Sequence, residues 1–200
     1  MLCLIGLVNP LCAQIELPIV IASGETSSTV LPTEETFKYS VTQQIFTAEE
    51  MTATPGAITS VAFKMANTSN VTRTFDIYMI NTDKEQFTYT EDWVNLSSDA
   101  LVFSGQVTYP GEEGAWFTID LHMPFEYDGG NVLFCVYDKS NFFETYVDDG
   151  RFYTYSTGAT PRSLNKASVQ YSYNVTDLKD KIYGNYQGSN PYYNNQVKSS

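Results

Sequence analysis

Basic residues are scarce in this chain of 200 residues: 11 Lys and Arg face 23 Asp and Glu, giving a net charge of −12 and a pI near 4.3. That balance excludes nucleic acid, whose phosphates need a basic footprint, and anionic membrane surfaces. Charge of both signs together reaches only 17%, against about 25% in an average globular chain. Histidine occurs once, as His122, and two of the three cysteines, Cys3 and Cys12, fall at the very start. One histidine and the remaining Cys135 complete no zinc site and close no disulfide. Cys135, inside the apolar run Val132–Tyr137, is therefore expected to be a small buried hydrophobe. No window sustains apolar residues at i, i+3, i+4 and i+7, which excludes long amphipathic helices. The G-x-S-x-G elbow and the D-x-[DN]-x-[DN]-G loop are missing too. A nucleophile-elbow triad and an EF-hand go with them.

What is present is aromatic and alternating. Hydrophobic residues are 42% and aromatics 14%, with 15 Tyr, 12 Phe and 2 Trp, far too much apolar surface for a disordered chain. Val61, Phe63 and Met65 alternate with Ala62 and Lys64, and Phe75, Ile77 and Met79 with Asp76 and Tyr78. Phe117, Ile119, Leu121 and Met123 alternate with Trp116, Thr118, Asp120 and His122, the cleanest period of two in the chain. Val132, Phe134 and Val136 oppose Leu133, Cys135 and Tyr137, so that strand is expected to be buried on both sides. Leu101–Tyr109 is a further strand. Turn clusters separate these runs at Pro55-Gly56, Asn67–Asn70, Pro110–Gly114, Asp128–Gly130 and Asp148–Gly150. Thr47–Glu50 predicts a short turn of helix, and Asp83–Trp93 another. Eight to ten strands with polar turns predict an all-β, two-sheet antiparallel sandwich or jelly roll. From Thr157 aliphatics thin out and Asn and Tyr accumulate, a pattern that fits either a long ordered loop closed by a last strand near Asn195–Lys198 or a partly flexible segment.

Residues 1 to 13, MLCLIGLVNPLCA, carry no charge, and the first basic residue is Lys38. This run is shorter than the about 20 residues a membrane helix needs. It reads as the apolar region of a secretory signal cleaved before Gln14, with the missing basic segment expected upstream of Met1. Two other readings are a first core strand and a lipid anchor on Cys12, although Asn9-Pro10-Leu11 suits a lipoprotein signal poorly. The expected organisation is thus a signal over 1–13, a first strand and exposed connection over 14–35, and one sandwich domain over 36–200, exported to the medium or the cell surface.

Candidate chemistry is sparse. Asp128, Asp138, Asp148 and Asp149 lie in turns that could converge at one end of a sandwich and hold calcium. Trp93, Trp116, Tyr153, Tyr155, Tyr183, Tyr186, Tyr192 and Tyr193 could offer a stacking platform to a sugar ring or a protein. His122 with Asp120 shares a strand face but lacks a nucleophile. Glu112-Glu113, Glu144 and Asp148-Asp149 are carboxylates that a glycosidase could use across a cleft. The E-x-D-x-x-E strand signature of one family of sandwich glycosidases is missing.

Ser27–Leu31 with Pro32, Tyr39–Glu50 and Gly56–Phe63 resemble the opening of secreted Bacteroidetes β-sandwich modules related to cleaved-adhesin, or gingipain haemagglutinin, domains. Asp76–Met79 with Asn81–Lys84, Leu101–Gly105, Pro124–Val132 and Asn195–Lys198 continue the likeness, over roughly residues 22 to 198. The resemblance implies a jelly roll, export, and a binding role as one module of a longer adhesin or hydrolase. It transfers no catalytic set. The expectation is a non-catalytic module for a glycan or an extracellular protein. The alternatives are a spacer in a longer surface protein and a small secreted glycoside hydrolase.

Overall fold

The structure is a computed structural model that describes residues 21, 26–145 and 148–179, together with the backbone of 192–194 and 197–199. The signal and cleavage site expected at 1–13 lie outside the described residues. Among the described residues eleven strands pair antiparallel: β1 (Thr26–Ser28), β2 (Tyr39–Phe46), β3 (Gly56–Lys64), β4 (Thr72–Thr82), β5 (Leu101–Thr108), β6 (Trp116–Tyr127), β7 (Asn131–Asp138), β8 (Phe152–Ser156), β9 (Ser163–Ser168), β10 (Tyr192–Asn194) and β11 (Val197–Ser199). One six-stranded sheet runs β10-β9-β2-β7-β4-β5. The facing layer is made of two smaller sheets, β3-β6 and β1-β8-β11, which touch through a bridge between Met65 and Phe152. The chain is an all-β antiparallel sandwich.

Alternation explains the layers. Val132, Phe134 and Val136 on β7, with Phe75, Ile77 and Met79 on β4, meet Phe63, Phe117, Ile119 and Phe152 of the facing layer. Burying these large side chains contributes about 1.5–3 kcal/mol each. Leu133, Cys135 and Tyr137 point the other way, and β7 is buried on both faces as its sequence predicts. Cys135 is free and fully buried, and burial pushes its thiol pKa up, out of the reactive range.

Among the described residues no sheet covers that second face. Two irregular segments do, 83–100 and 169–179, which drive Phe87, Trp93, Leu96, Val175 and Leu178 onto it. Gln43 of β2 fixes the first of them with a two-way clasp: its Nε2 donates to the Val94 carbonyl (2.7 Å) and its Oε1 accepts from the Val94 N–H (2.9 Å). The Leu96 N–H donates to the Val175 carbonyl (2.9 Å) and ties the two segments together.

The helix expected at Thr47–Glu50 forms as α1 (Ala48–Met51), with Glu50 accepting from the Thr47 N–H at 2.8 Å. The helix expected over Asp83–Trp93 does not form. There Asp92 Oδ2 gathers the Thr88 N–H (2.9 Å), Thr88 Oγ1 (3.1 Å) and Lys84 Nζ (2.7 Å), a side-chain-built turn that competes with helix. Strand β9 falls where a long loop was expected. Its Ser163-Leu164-Asn165-Lys166-Ala167-Ser168 is entirely buried despite its polarity, because it pairs with β2 along its whole length.

Replacing Gln43 with Ala leaves both backbone groups of Val94 without their partner. We expect a loss of about 1–3 kcal/mol in urea unfolding, with the exposed face of the β3–β6 pair unaltered.

Candidate functional site

One end of the sandwich gathers the starts of β4, β6 and β8 with the ends of β3, β5 and β7. Arg73, at an inward position of β4, is fully buried and donates from Nε (2.9 Å) and Nη2 (2.6 Å) to Asp138 Oδ2 at the end of β7. Asp138 Oδ1 accepts from the Ser140 N–H (3.0 Å) and Oγ (2.6 Å), and Thr33 Oγ1 adds a bond to Oδ2 (3.2 Å). Arg73 Nη1 reaches the Phe142 carbonyl at 3.2 Å, and the Phe142 ring lies over the guanidinium at 4.5 Å. A buried charge survives only when paired in this way.

Beside this pair lies a carboxyl that, among the described residues, has no cation in contact. Glu35 is 1% exposed. Its Oε1 accepts from the Tyr109 hydroxyl and its Oε2 from the Gly150 N–H (2.7 Å). Burial dominates and lifts its pKa to about 7 from an ordinary 4.5, and the negative Asp138 adds to the rise. The bonds from Tyr109 and Gly150, and the field of Arg73, act in the opposite sense without overcoming it. The close approach requires glycine: a Cβ on Gly150 would stand 2.5 Å from Tyr109 Cε2 and 2.9 Å from Glu35 Oε1.

Outside this core the facing layer presents a mostly polar strand surface. Lys64 on β3 and Trp116 on β6 are direct cross-strand partners, followed by Ala62 with Thr118 and Ser60 with Asp120. Lys64 Nζ sits 5.4 Å from the centre of the Tyr153 ring, and the Tyr153 hydroxyl donates to Glu113 Oε1 at 3.1 Å. Trp116 is 46% exposed. The site can stack a planar or ring-shaped group on Trp116, with a donor at Lys64 and an acceptor at Glu113 in reach.

The residues expected from sequence do not come together as one platform. Trp93 is 2% exposed and belongs to the second core: the segment that carries it must cover an apolar sheet face, and a large ring does so best. Trp116 and Tyr153 do share a surface, whereas Tyr155 turns to Glu50 (3.3 Å) near the other end. Tyr183 and Tyr186 lie outside the described residues, and Tyr192 and Tyr193 are described only as backbone of β10. The four expected calcium ligands do not converge. Asp128 precedes β7 and Asp138 ends it, roughly 25 Å apart at about 3.3 Å per residue. Asp138 is committed to Arg73, Asp148 accepts from Thr145 Oγ1 (2.7 Å), and Asp149 is buried beside Arg151 Nε (3.5 Å). Among the described residues no group of three or more His, Cys, Asp and Glu could hold a metal ion. His122 does not join Asp120 but lies over Phe103, with ring centres 4.7 Å apart. Of the carboxylates considered for glycoside cleavage, Glu144 Oε1 is 3.9 Å from Arg73 Nη1 and Glu113 holds Tyr153.

Sequence reading missed Glu35, Arg73, Tyr109 and Gly150. A signal existed for Arg73, which occupies the same strand face as Phe75, Ile77 and Met79. None existed for Glu35, hidden in a segment that reads as exposed. Fold and site define an antiparallel sandwich with a buried polar junction beneath an aromatic strand face. Set against protein-family models, curated proteins and solved structures, the chain matches none.

Two outcomes follow from the junction. Gly150→Ala drives a methyl into Tyr109 and Glu35 and lowers unfolding free energy by about 2 kcal/mol or more, read in urea titrations. Because folding raises the pKa of Glu35, its contribution is complete below about pH 4.5 and is lost as pH rises through 7. The span corresponds to about 3 kcal/mol at most. Glu35→Gln removes that share of the stability loss between pH 5 and pH 8. A smaller slope of the same sign remains, from Glu34 and Asp149, whose pKa values burial also raises.

Proposed function

We propose that this chain is a non-catalytic binding module of the secreted or cell-surface kind, which takes a glycan on the outward face of β3, β6 and β8. The observation that supports this reading most is Trp116. A tryptophan ring left 46% open on a regular strand forgoes burial that the fold grants to Trp93, and its neighbours are a lysine and a tyrosine held in place by a glutamate. Flat aromatic surface bordered by fixed polar groups suits sugar rings, whose C–H faces stack while their hydroxyls find donors and acceptors. The adhesin-like residues quoted above imply a binding role of the same kind, and the apolar start of the chain implies export.

The test is a glycan array probed with the purified chain, once with calcium and once with chelator. Selective binding is expected, weakened about tenfold or more in Trp116→Ala, the scale of one lost aromatic stack, with an unchanged melting temperature. A blank array from folded protein, or full binding by Trp116→Ala, overturns the reading and favours a protein partner or a spacer role.

A further inference from the structure

Among the described residues Arg73, Lys84, Lys139, Arg151 and Arg162 each stand 2.6–3.5 Å from a carboxylate. Lys64 pairs with no carboxylate among them, although acids outnumber bases 23 to 11 in the chain. Its ammonium lies instead over the Tyr153 ring, 5.4 Å from the ring centre. That ring is itself anchored, because the Tyr153 hydroxyl donates to Glu113 Oε1 at 3.1 Å. The glutamate thus meets the hydroxyl of Tyr153 and the lysine meets its face. Lys64 is also the direct cross-strand partner of Trp116, which sets their Cβ atoms about 5 Å apart on one side of the β3–β6 pair. A half-open tryptophan ring and a positioned cation stand side by side.

The rest of the face carries the opposite charge. Beyond Lys64 and Trp116 come Ala62 with Thr118 and then Ser60 with Asp120, all exposed. Asp120 lies about 13 Å along β6 from Trp116 at 3.3 Å per residue, and Glu113 borders the other flank.

We propose that this face selects a glycan end bearing a single carboxylate, a uronic or sialic acid whose ring lies on Trp116 and whose carboxylate meets Lys64. The assignment rests on the glycan-face reading and names its ligand class. A lysine ammonium has three donors, enough for one carboxylate and a neighbouring hydroxyl, while Thr118 and Ser60 line the path of the next sugar. The charge pattern rejects further acids: a second carboxylate farther along the strands meets Asp120, and one beyond Tyr153 meets Glu113. The net charge of −12 works in the same sense against polyanions. Its reach at physiological ionic strength is about 8 Å, so it does not cancel a carboxylate in direct contact with Lys64.

The experiment is isothermal titration calorimetry of the full chain at physiological ionic strength. An oligosaccharide ending in glucuronic acid is compared with its carboxyl-reduced form, sialyllactose with lactose, and polygalacturonate with its methyl ester. One acid-ended probe is expected to bind about fivefold tighter than its neutral counterpart, the scale of a well-placed exposed ion pair, and which acid does so tells the two sugars apart. Polygalacturonate gains nothing over its ester. Lys64→Gln abolishes the preference and Lys64→Arg, which keeps the charge, retains it. Lys179→Gln, next to Leu178 of the second core, leaves the preference as it is. Equal binding of acid and neutral probes by the parent chain, a preference that survives Lys64→Gln, or a preference for polygalacturonate over its ester overturns the carboxylate assignment and leaves the glycan face standing. No binding of any probe by folded protein, or binding that ignores Trp116→Ala, overturns the glycan face and the assignment with it.

Discussion

Strand β7 is apolar on both of its faces, and a sheet built around such a strand must be covered twice. This constraint organises the molecule. The aromatic side of the six-stranded sheet finds its cover in β3, β6 and β8, whose inward Phe63, Phe117 and Phe152 close one core. The other side, among the described residues, is covered by irregular chain, with Phe87 and Trp93 as the plugs and Gln43 as the clasp. Long polar-looking segments are ordered here because the apolar surface beneath them would otherwise meet water.

The same economy governs polar groups. Arg73 enters the interior because it stands on the core side of β4, and it is tolerated because Asp138 meets it with two charge-assisted bonds. Glu35 arrives from an irregular segment and, among the described residues, accepts from two neutral donors. The difference between a paired charge and an unpaired one separates a fixed strut from a group that responds to pH. The Glu35 junction sits under the starts of β6 and β8, where Tyr109 packs on Phe117 and Phe152.

Much of the architecture was legible in the chain. Period-two runs at Phe117–Met123 and Phe75–Met79, the double-sided Val132–Tyr137 and the turn clusters announce an antiparallel sandwich, because strand side chains alternate whatever the topology. Strand β9 was not legible: its serines, asparagine and lysine give no apolar period, and its place between β10 and β2 makes them interior. Trp93 misled for the complementary reason, since a loop tryptophan reads as exposed until a bare sheet face is found beneath it. Trp116 was one of eight aromatic candidates, and its exposure follows from the alternation with Phe117.

Sequence by itself determined the strand periods, the scarcity of metal-binding and basic residues, and which face of each regular strand is apolar, since these depend only on neighbours along the chain. Tertiary structure alone decided which polar residues are buried and with whom. The Glu35 carboxyl meets Tyr109 and Gly150 across separations of 74 and 115 residues, and Arg73 meets Asp138 across 65. Desolvation and pairing are properties of the space a side chain finally occupies, and no local pattern encodes that space.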